Sequence, residues 1–354
     1  MKKTLFKQCC VLLLLLSMLV VCGCGEGGVA YPGQQNTELY SRTVFAMDTV
    51  MDLKPAGANG EKACDLAETR IHELEAVFSV TDDGSDIYAV NHADGAAVTV
   101  SDDTLKLLSA ALEFCRLTDG ALDVSVYPVL REWGFTTESY QVPDDETLSA
   151  LLENVDYTRV AVDEKNRTVT LPTGMEIDLG SVAKGYTGDQ VIQVFRDAGV
   201  TSGIISLGGN VQVLGTKEDG SPWRIGVQDP NSDGYVGIVE VVDKAVVTSG
   251  GYERYFVEDG VTYWHILDPA TGKPAHSGVL SATIIGDSGL MCDALSTALF
   301  VMGPDRAAQF WRENGGFEYL LVLEDGSLVI SGGLTDCFSL TEEWADASVQ
   351  VVQK

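Results

Sequence analysis

Residues 176–189 read EIDLGSVAKGYTGD. One lysine, Lys184, stands between two aspartates, with Asp178 six residues before it and Asp189 five after. The stretch predicts a strand end over 175–179, a turn of small residues at Gly180 and Ser181, and a helix over 183–198. A helix start exposes N–H groups without intrahelical partners and carries partial positive charge, so it can receive phosphate. Lys184 at such a place is a candidate phosphate contact.

Four further stretches pair chemistry-bearing residues with apolar surroundings. In GLMCDALSTALF (289–300), Asp293 and Thr297 are four apart and share a helix face amid Leu290, Met291, Leu295 and Leu299. A carboxylate and a hydroxyl in that setting need partners, because burying an unpaired charge is unfavourable. A hard divalent cation with oxygen ligands satisfies both, and Mg²⁺ uses few protein ligands beside substrate phosphates. A buried aspartate bonded to a backbone turn is the alternative. In YWHILDPATGKPA (263–275), His265 and Asp268 lie three apart before an Asp-Pro turn, a pair suited to proton transfer or cation binding, or to a structural histidine on a strand. In GALDVSVYPVLREWGF (120–135), Asp123 sits at a helix-to-strand turn, where a capping or Asx-turn aspartate is the plainer reading. SLGGN (206–210) reads as a tight turn or a close backbone approach.

These residues have to be held by a mixed set of elements. A strand is expected over 42–53, and helices over 60–77, 101–120, 144–154, 183–198, 289–302 and 305–314. Hairpins are expected over 157–171 and 317–331, with short strands between 203 and 286. Helices mixed with antiparallel strands indicate an α+β fold of largely antiparallel sheets with packed helices. No GxGxxG follows the first strand and no Walker-type lysine loop occurs.

The chain opens MKKTLFK and runs into CCVLLLLLSMLVVCGC. A basic start, an apolar run and small residues before a cysteine make a secretory leader, too short and badly flanked for a spanning helix. Val21-Cys22-Gly23-Cys24 resembles a lipobox, which predicts a leader over 1–23, a lipid on Cys24 and a flexible tether over 24–41. One domain is then expected over 42–345, outside the cytoplasm and anchored to the cell membrane. The 23 lysines and arginines face 52 acids, a net charge of −29. That balance argues against nucleic acid as a partner and leaves membrane attachment to the acyl chain. Cys64, Cys115, Cys292 and Cys337 form no CxxC pair, so zinc is not expected. They allow one or two disulfides, with buried free thiols the plainer reading.

Taken together, AMDTVMDL, FSVTDDGSDIYAVN, GALDVSVYPVLREWGF, EIDLGSVAKGYTGDQV, SLGGNVQVLG, VVTSGGYERYF, YWHILDPATGKP and CDALSTALFVMG resemble, in order, the motifs of the ApbE family. This family comprises FAD:protein FMN transferases, bacterial flavin-trafficking enzymes often found as lipoproteins. The resemblance implies Mg²⁺-dependent transfer of FMN from FAD to a threonine hydroxyl of an acceptor flavoprotein, with release of AMP. It implies as alternatives FAD hydrolysis to FMN and AMP, or FAD binding without chemistry. The implied acceptor carries an Asp-Gly-x-Thr-type motif on a subunit of a membrane redox complex.

Carried over by motif, Met47 lies against the flavin or adenine, and Ala121, Leu122 and Asp123 contact FAD. Asp178 orients the nucleotide, Lys184 reaches its phosphates or ribose, and Leu267 gives a backbone contact. Ser181 offers its carbonyl to magnesium, with Asp293 and Thr297 as side-chain ligands and Ser296 beside them. Asp268 resembles the family's base for the acceptor hydroxyl, with His265 next to it. The sequence departs from the family pattern at Thr81, where an aromatic residue is usual, and at Asp48, where glycine is common.

Overall fold

A computed structural model describes residues 39–137 and 139–354. The leader, Cys24 and the tether up to residue 38 lie outside the described residues. The chain is already fixed at the end of the expected tether: Leu39 bridges Ala56, and Tyr40 N–H donates to Pro55 O at 2.9 Å.

The frame is a nine-stranded sheet whose spatial order follows the chain. Its strands are β1 (Arg42–Ala46), β2 (Thr49–Pro55), β3 (Gly203–Leu207), β4 (Asn210–Leu214), β5 (Ala245–Gly250), β6 (Val279–Gly286), β7 (Phe317–Leu323), β8 (Leu328–Ser331) and β9 (Val349–Val352). Neighbours pair antiparallel except the parallel β8–β9 pair. The α+β fold expected from the mixture of patterns is therefore present. β9 lies past residue 345, the expected domain end, and its Val352 is in the core.

Alternate residues of the central strands enter different cores, as the two-residue period of a strand requires. Val247, Ala282, Ile284 and Leu321 face the helices. Val246, Ile285, Leu320 and Val322 face a three-stranded sheet formed by Trp223–Gln228, Tyr235–Val241 and Phe338–Leu340. Burial on both faces explains why these strands read as continuous apolar runs.

Three helices cover the first face, α1 (Gly60–Phe78), α3 (Gly180–Asp197) and α4 (Gly289–Asn314), and α2 (Asp102–Leu117) packs against them. The N-terminus of α4 is closed by Asp189 of α3. That carboxylate accepts from Gly289 N–H at 2.6 Å, Leu290 N–H at 3.1 Å and the Ser288 hydroxyl at 2.9 Å. Asp189 is thus structural: it satisfies donors that a helix start leaves open. Gly303, at φ 76°, and Pro304 break α4, so the two helices expected at 289–302 and 305–314 are the two arms of one kinked helix.

The structure corrects several local expectations. The single strand expected over 42–53 is a hairpin, β1–β2, turned at Met47 and Asp48, both left-handed (φ 51° and 57°). Two central residues with positive φ make the turn whose twist suits a two-residue hairpin, and an aspartate tolerates this conformation better than most side chains. The strand end expected over 175–179 joins no sheet. Asn91 brackets Ile177 through its N–H and C=O at 2.8 and 2.9 Å, and Val124 O accepts Asp178 N–H at 2.8 Å, so side-chain and loop partners replace a strand. Helix α3 begins at Gly180 rather than 183. Asp123 leads into a 3-10 turn (Val124–Val126) and a short helix (Tyr127–Glu132), not a strand. Cys64, Cys115 and Cys292 are buried and, with the half-buried Cys337, free.

Candidate active site at the α3 and α4 N-termini

The site forms where α3 and the start of α4 cross at unusually close range. Gly185 has no side chain because none fits: a Cβ there would drive into the Gly289 carbonyl and lie 2.7 Å from Asp293 Cβ. Gly185 N–H donates to Asp293 Oδ2 at 2.8 Å. In helical geometry the same N–H points at the carbonyl one turn earlier, that of Ser181. The Ser181 carbonyl and the Asp293 carboxylate therefore converge on one donor. Asp293 is 4 % exposed, and burial pushes its carboxyl pKa up, against the pull of Lys184 and the Gly185 N–H.

One turn along α4, Thr297 and Ser296 meet β5. Ser249 Oγ lies 2.7 Å from Ser296 Oγ and 3.3 Å from Thr297 Oγ1, and the Ser296 hydroxyl donates to Asp293 O at 2.8 Å. Ser296 is thus committed to protein partners, whereas Thr297 keeps lone pairs for a ligand. One carboxylate, a threonine hydroxyl and a main-chain carbonyl form a hard oxygen set. Among the described residues no cluster of three or more His, Cys, Asp or Glu could hold a metal by itself. This donor set fits a Mg²⁺ ion that completes its shell with phosphate and water. It does not make an all-protein cage.

At the start of α3, Asp178 Oδ1 accepts the Gly180 N–H at 3.0 Å. The first N–H of the helix is therefore taken by an acid. The positive charge offered here is Lys184, and Arg254 joins it from the segment after β5. Burial raises the Asp178 pKa while the Gly180 N–H, Lys184 and Arg254 oppose it. The same two cations act on Glu253, which burial also raises. Neither cation has a salt-bridge partner among the described residues, so both are available to an anionic ligand.

His265 belongs to this charged group as well. Its Nδ1 lies 3.2 Å from Arg254 O, the carbonyl that also accepts the His265 N–H at 3.1 Å. Burial, with Arg254 and Lys184 adding to it, lowers the imidazole from an ordinary value of 6.5 to about 4. The ring is therefore neutral near pH 7. Because the folded pKa is depressed, the unfolded chain protonates first as pH falls. Stability should then be lost from about pH 6.5 down to about pH 4. A His265→Phe variant should show a flatter urea-midpoint profile over that window, and the His265 ring proton followed by NMR should not titrate above pH 5. Titration near 6.5 would refute the neutral, cation-flanked state.

Asp268 sits three residues on, in the turn between short strands Leu267–Asp268 and Lys273–Pro274. Its Oδ1 accepts from Ala270 N–H at 3.0 Å and its Oδ2 lies 3.3 Å from the Thr271 hydroxyl. No hydrogen bond joins it to His265 among the described residues. Leu267 is 5 % exposed and pairs with Pro274.

Met47 reaches the site from the other side: its N–H donates to Glu75 Oε1 at 2.6 Å, and Thr187 Oγ1 of α3 lies 3.7 Å from its sulfur. Ala121 and Leu122 are buried in the α2 core. Asp123 has both oxygens engaged, by Ser125 N–H at 2.8 Å, the Ser125 hydroxyl at 2.6 Å and Tyr157 N–H at 3.2 Å. Its contacts are those of a capping aspartate. Ser249, Glu253 and Asn210 were missed from the sequence as site residues, although all three stand inside motifs that carried the resemblance, VVTSGGYERYF and SLGGN.

The ApbE family model matches residues 47–321. The chain belongs to the ApbE family. A curated relative, the FAD:protein FMN transferase of Treponema pallidum, is 32% identical over 339 residues, covering 90% of this chain and 92% of the relative. Among solved structures, the ApbE protein of Thermotoga maritima superposes with TM-score 0.80 at 38% identity, over 84% of this chain and 98% of that one. The flavin transferase ApbE of Vibrio cholerae superposes with TM-score 0.77 at 28% identity, over 85% and 99%. The fold that carries α3 and α4 here is thus similar to those of these two ApbE structures.

Proposed function

We propose that this chain is an FAD:protein FMN transferase that joins FMN to a threonine hydroxyl of an acceptor protein and releases AMP, in a Mg²⁺-dependent reaction. The observation that carries this reading is the Gly185 N–H of α3 donating to Asp293 of α4, beside Lys184 and one turn from Thr297, within a chain whose curated relative is named for that activity.

The chemistry divides among this chain's own groups. Lys184 and Arg254 draw the diphosphate of FAD into a protein whose overall charge repels it. Asp178, held by Gly180 N–H, orients the sugar or base, and Met47 lies against a ring of the dinucleotide. Ala121, Leu122 and Leu267 line it with apolar surface and main chain, and the turn capped by Asp123 fixes their path. Asp293 and Thr297, with the Ser181 carbonyl, would hold Mg²⁺, which when bound neutralises phosphate charge; Ser296 fixes the turn of α4 between them. The threonine oxygen attacks the FMN phosphorus, the bond to the AMP oxygen breaks with its electron pair, and the threonine proton passes to Asp268. Neutral His265, beside Arg254, shapes that approach without adding charge.

The lipobox-like Val21–Cys24 supports an extracytoplasmic protein anchored by a lipid on Cys24, facing an acceptor with an Asp-Gly-x-Thr-type motif on a membrane redox complex. No helix among the described residues is long and apolar enough to cross a membrane. One experiment tests the whole reading. Full-length chain in detergent is incubated with FAD and a domain carrying such a motif, with Mg²⁺ or EDTA. Acceptor mass, AMP and the mass of the N-terminal peptide are then followed. The expected result is one FMN on the acceptor per AMP, only with Mg²⁺, and a lipidated Cys24. AMP and free FMN with an unmodified acceptor would replace transfer by hydrolysis. FAD uptake without AMP would reduce the protein to a flavin binder.

A further inference from the structure

Asn210 opens β4 directly after the Gly208–Gly209 turn and is 1 % exposed. Both its amide nitrogen and its carbonyl oxygen are buried without a hydrogen-bond partner among the described residues. A buried carboxamide with neither side satisfied is unfavourable, and such groups in folded proteins have an explanation.

Its position supplies one. Two residues along β4, Gln212 faces α3 and its Nε2 donates to Gly185 O at 3.1 Å. Residues two apart on a strand share a face, so Asn210 also faces the α3–α4 crossing. Its carboxamide acts on the Asp293 carboxyl and opposes the effect of burial there, although no hydrogen bond of good geometry joins the two. The β4–β5 register pairs Val211 with Val246. Continued by one step, it sets Asn210 beside Val247, and Ser249 points the same way two residues on, where it meets Ser296 and Thr297. Asn210 and Ser249 thus support from below the turn of α4 that carries Asp293 and Thr297.

We propose that Asn210 is a substrate-binding residue: its side-chain N–H donates to an oxygen of the dinucleotide's diphosphate beside Asp293. The inference rests on the FAD-transferase reading of this site and adds a contact to it. An anion placed next to the Asp293 carboxylate needs donors that bring no further negative charge. A carboxamide is neutral and supplies two N–H groups, and neither makes a hydrogen bond of good geometry among the described residues of the free protein. Ligand binding then satisfies a group that folding leaves unsatisfied.

The test uses the full-length chain with Asn210→Leu, which is close in size and apolar, and Asn210→Asp, which keeps the shape and adds charge. Urea midpoints are measured without FAD, and FAD affinity by quenching of flavin fluorescence in EDTA and in Mg²⁺. The leucine variant should unfold at the same urea concentration as the parent or a higher one. It should bind FAD about tenfold more weakly or worse in both buffers, and the aspartate variant should bind more weakly still. A structural amide satisfied by bound water predicts the reverse, lowered stability with unchanged FAD affinity, and that result overturns the proposal. If the leucine variant does not fold, a folded Asn210→Asp variant with parental FAD affinity overturns it equally. A parent protein that takes up no FAD overturns the transferase reading and this inference together, whereas parental FAD binding that survives in both variants overturns the inference alone.

Discussion

Asp293→Ala should lower FMN transfer by about a thousandfold or more, with the fold intact. Asp293 is the side chain on which the site's oxygen donors converge: its Oδ2 takes the Gly185 N–H, and Ser296 and Thr297 stand on the same turn of α4. Neither neighbouring aspartate is placed to substitute, since Asp189 is spent on the α4 N-terminus and Asp178 on Gly180. The substitution is tolerable to the fold because the Gly185 N–H keeps its intrahelical acceptor, and because the carboxyl removed is one that burial already disfavours in its charged form. Turnover at saturating FAD and Mg²⁺, read with near-ultraviolet circular dichroism, checks both halves. An Asp293→Asn control keeps the shape and removes the charge. Full activity in the alanine variant would end the assignment of this residue.

Gly185→Ala should destabilise the protein by about 3 kcal/mol, although alanine is the better helix former. Helix propensity favours the substitution by about 1 kcal/mol. Against it stands a Cβ aimed at the Gly289 backbone carbonyl and at Asp293 Cβ 2.7 Å away. Backbone cannot rotate aside as a side-chain tip can, and the α4 N-terminus is pinned by three hydrogen bonds to Asp189. Relief requires α4 to move off α3, which opens the core around Ala294 and Ala298 and displaces the Asp293 carboxylate. Gly188→Ala is the matched comparison: there the new atom meets the Gln212 amide, a side-chain end that can give way, and the loss should be smaller. Urea unfolding of both variants measures the difference. A Gly185→Ala protein as stable as the parent would show that the α3–α4 crossing is looser than the structure has it.

Much of this protein was legible in the sequence because its signals are local. The apolar period over 60–77 and the Ser101 cap before 102 produced α1 and α2 nearly as expected. The Gly303–Pro304 pair announced the break in α4. Asp293 and Thr297, four apart on an apolar helix, marked a polar pair that needed partners, and the structure puts a hydroxyl, a carbonyl and an N–H around them. Local signals also misled. RTVFAMDTVMDL reads as one strand because neither residue of its turn is a glycine, and only pairing with the next strand reveals the left-handed Met47–Asp48 turn.

What the sequence by itself determined is the list of chemistry-bearing residues and the elements on which they stand, since residue type and periodicity are written along the chain. Which of them meet was decided by tertiary structure. The Gly185 N–H and Asp293 are joined across 108 positions of sequence, and Ser249 and Thr297 across 48. No local spacing encodes such contacts. Only the packing of α3 against α4 over the β4–β5 strands brings those groups within hydrogen-bond reach, and the same packing buries the Asn210 carboxamide beside them.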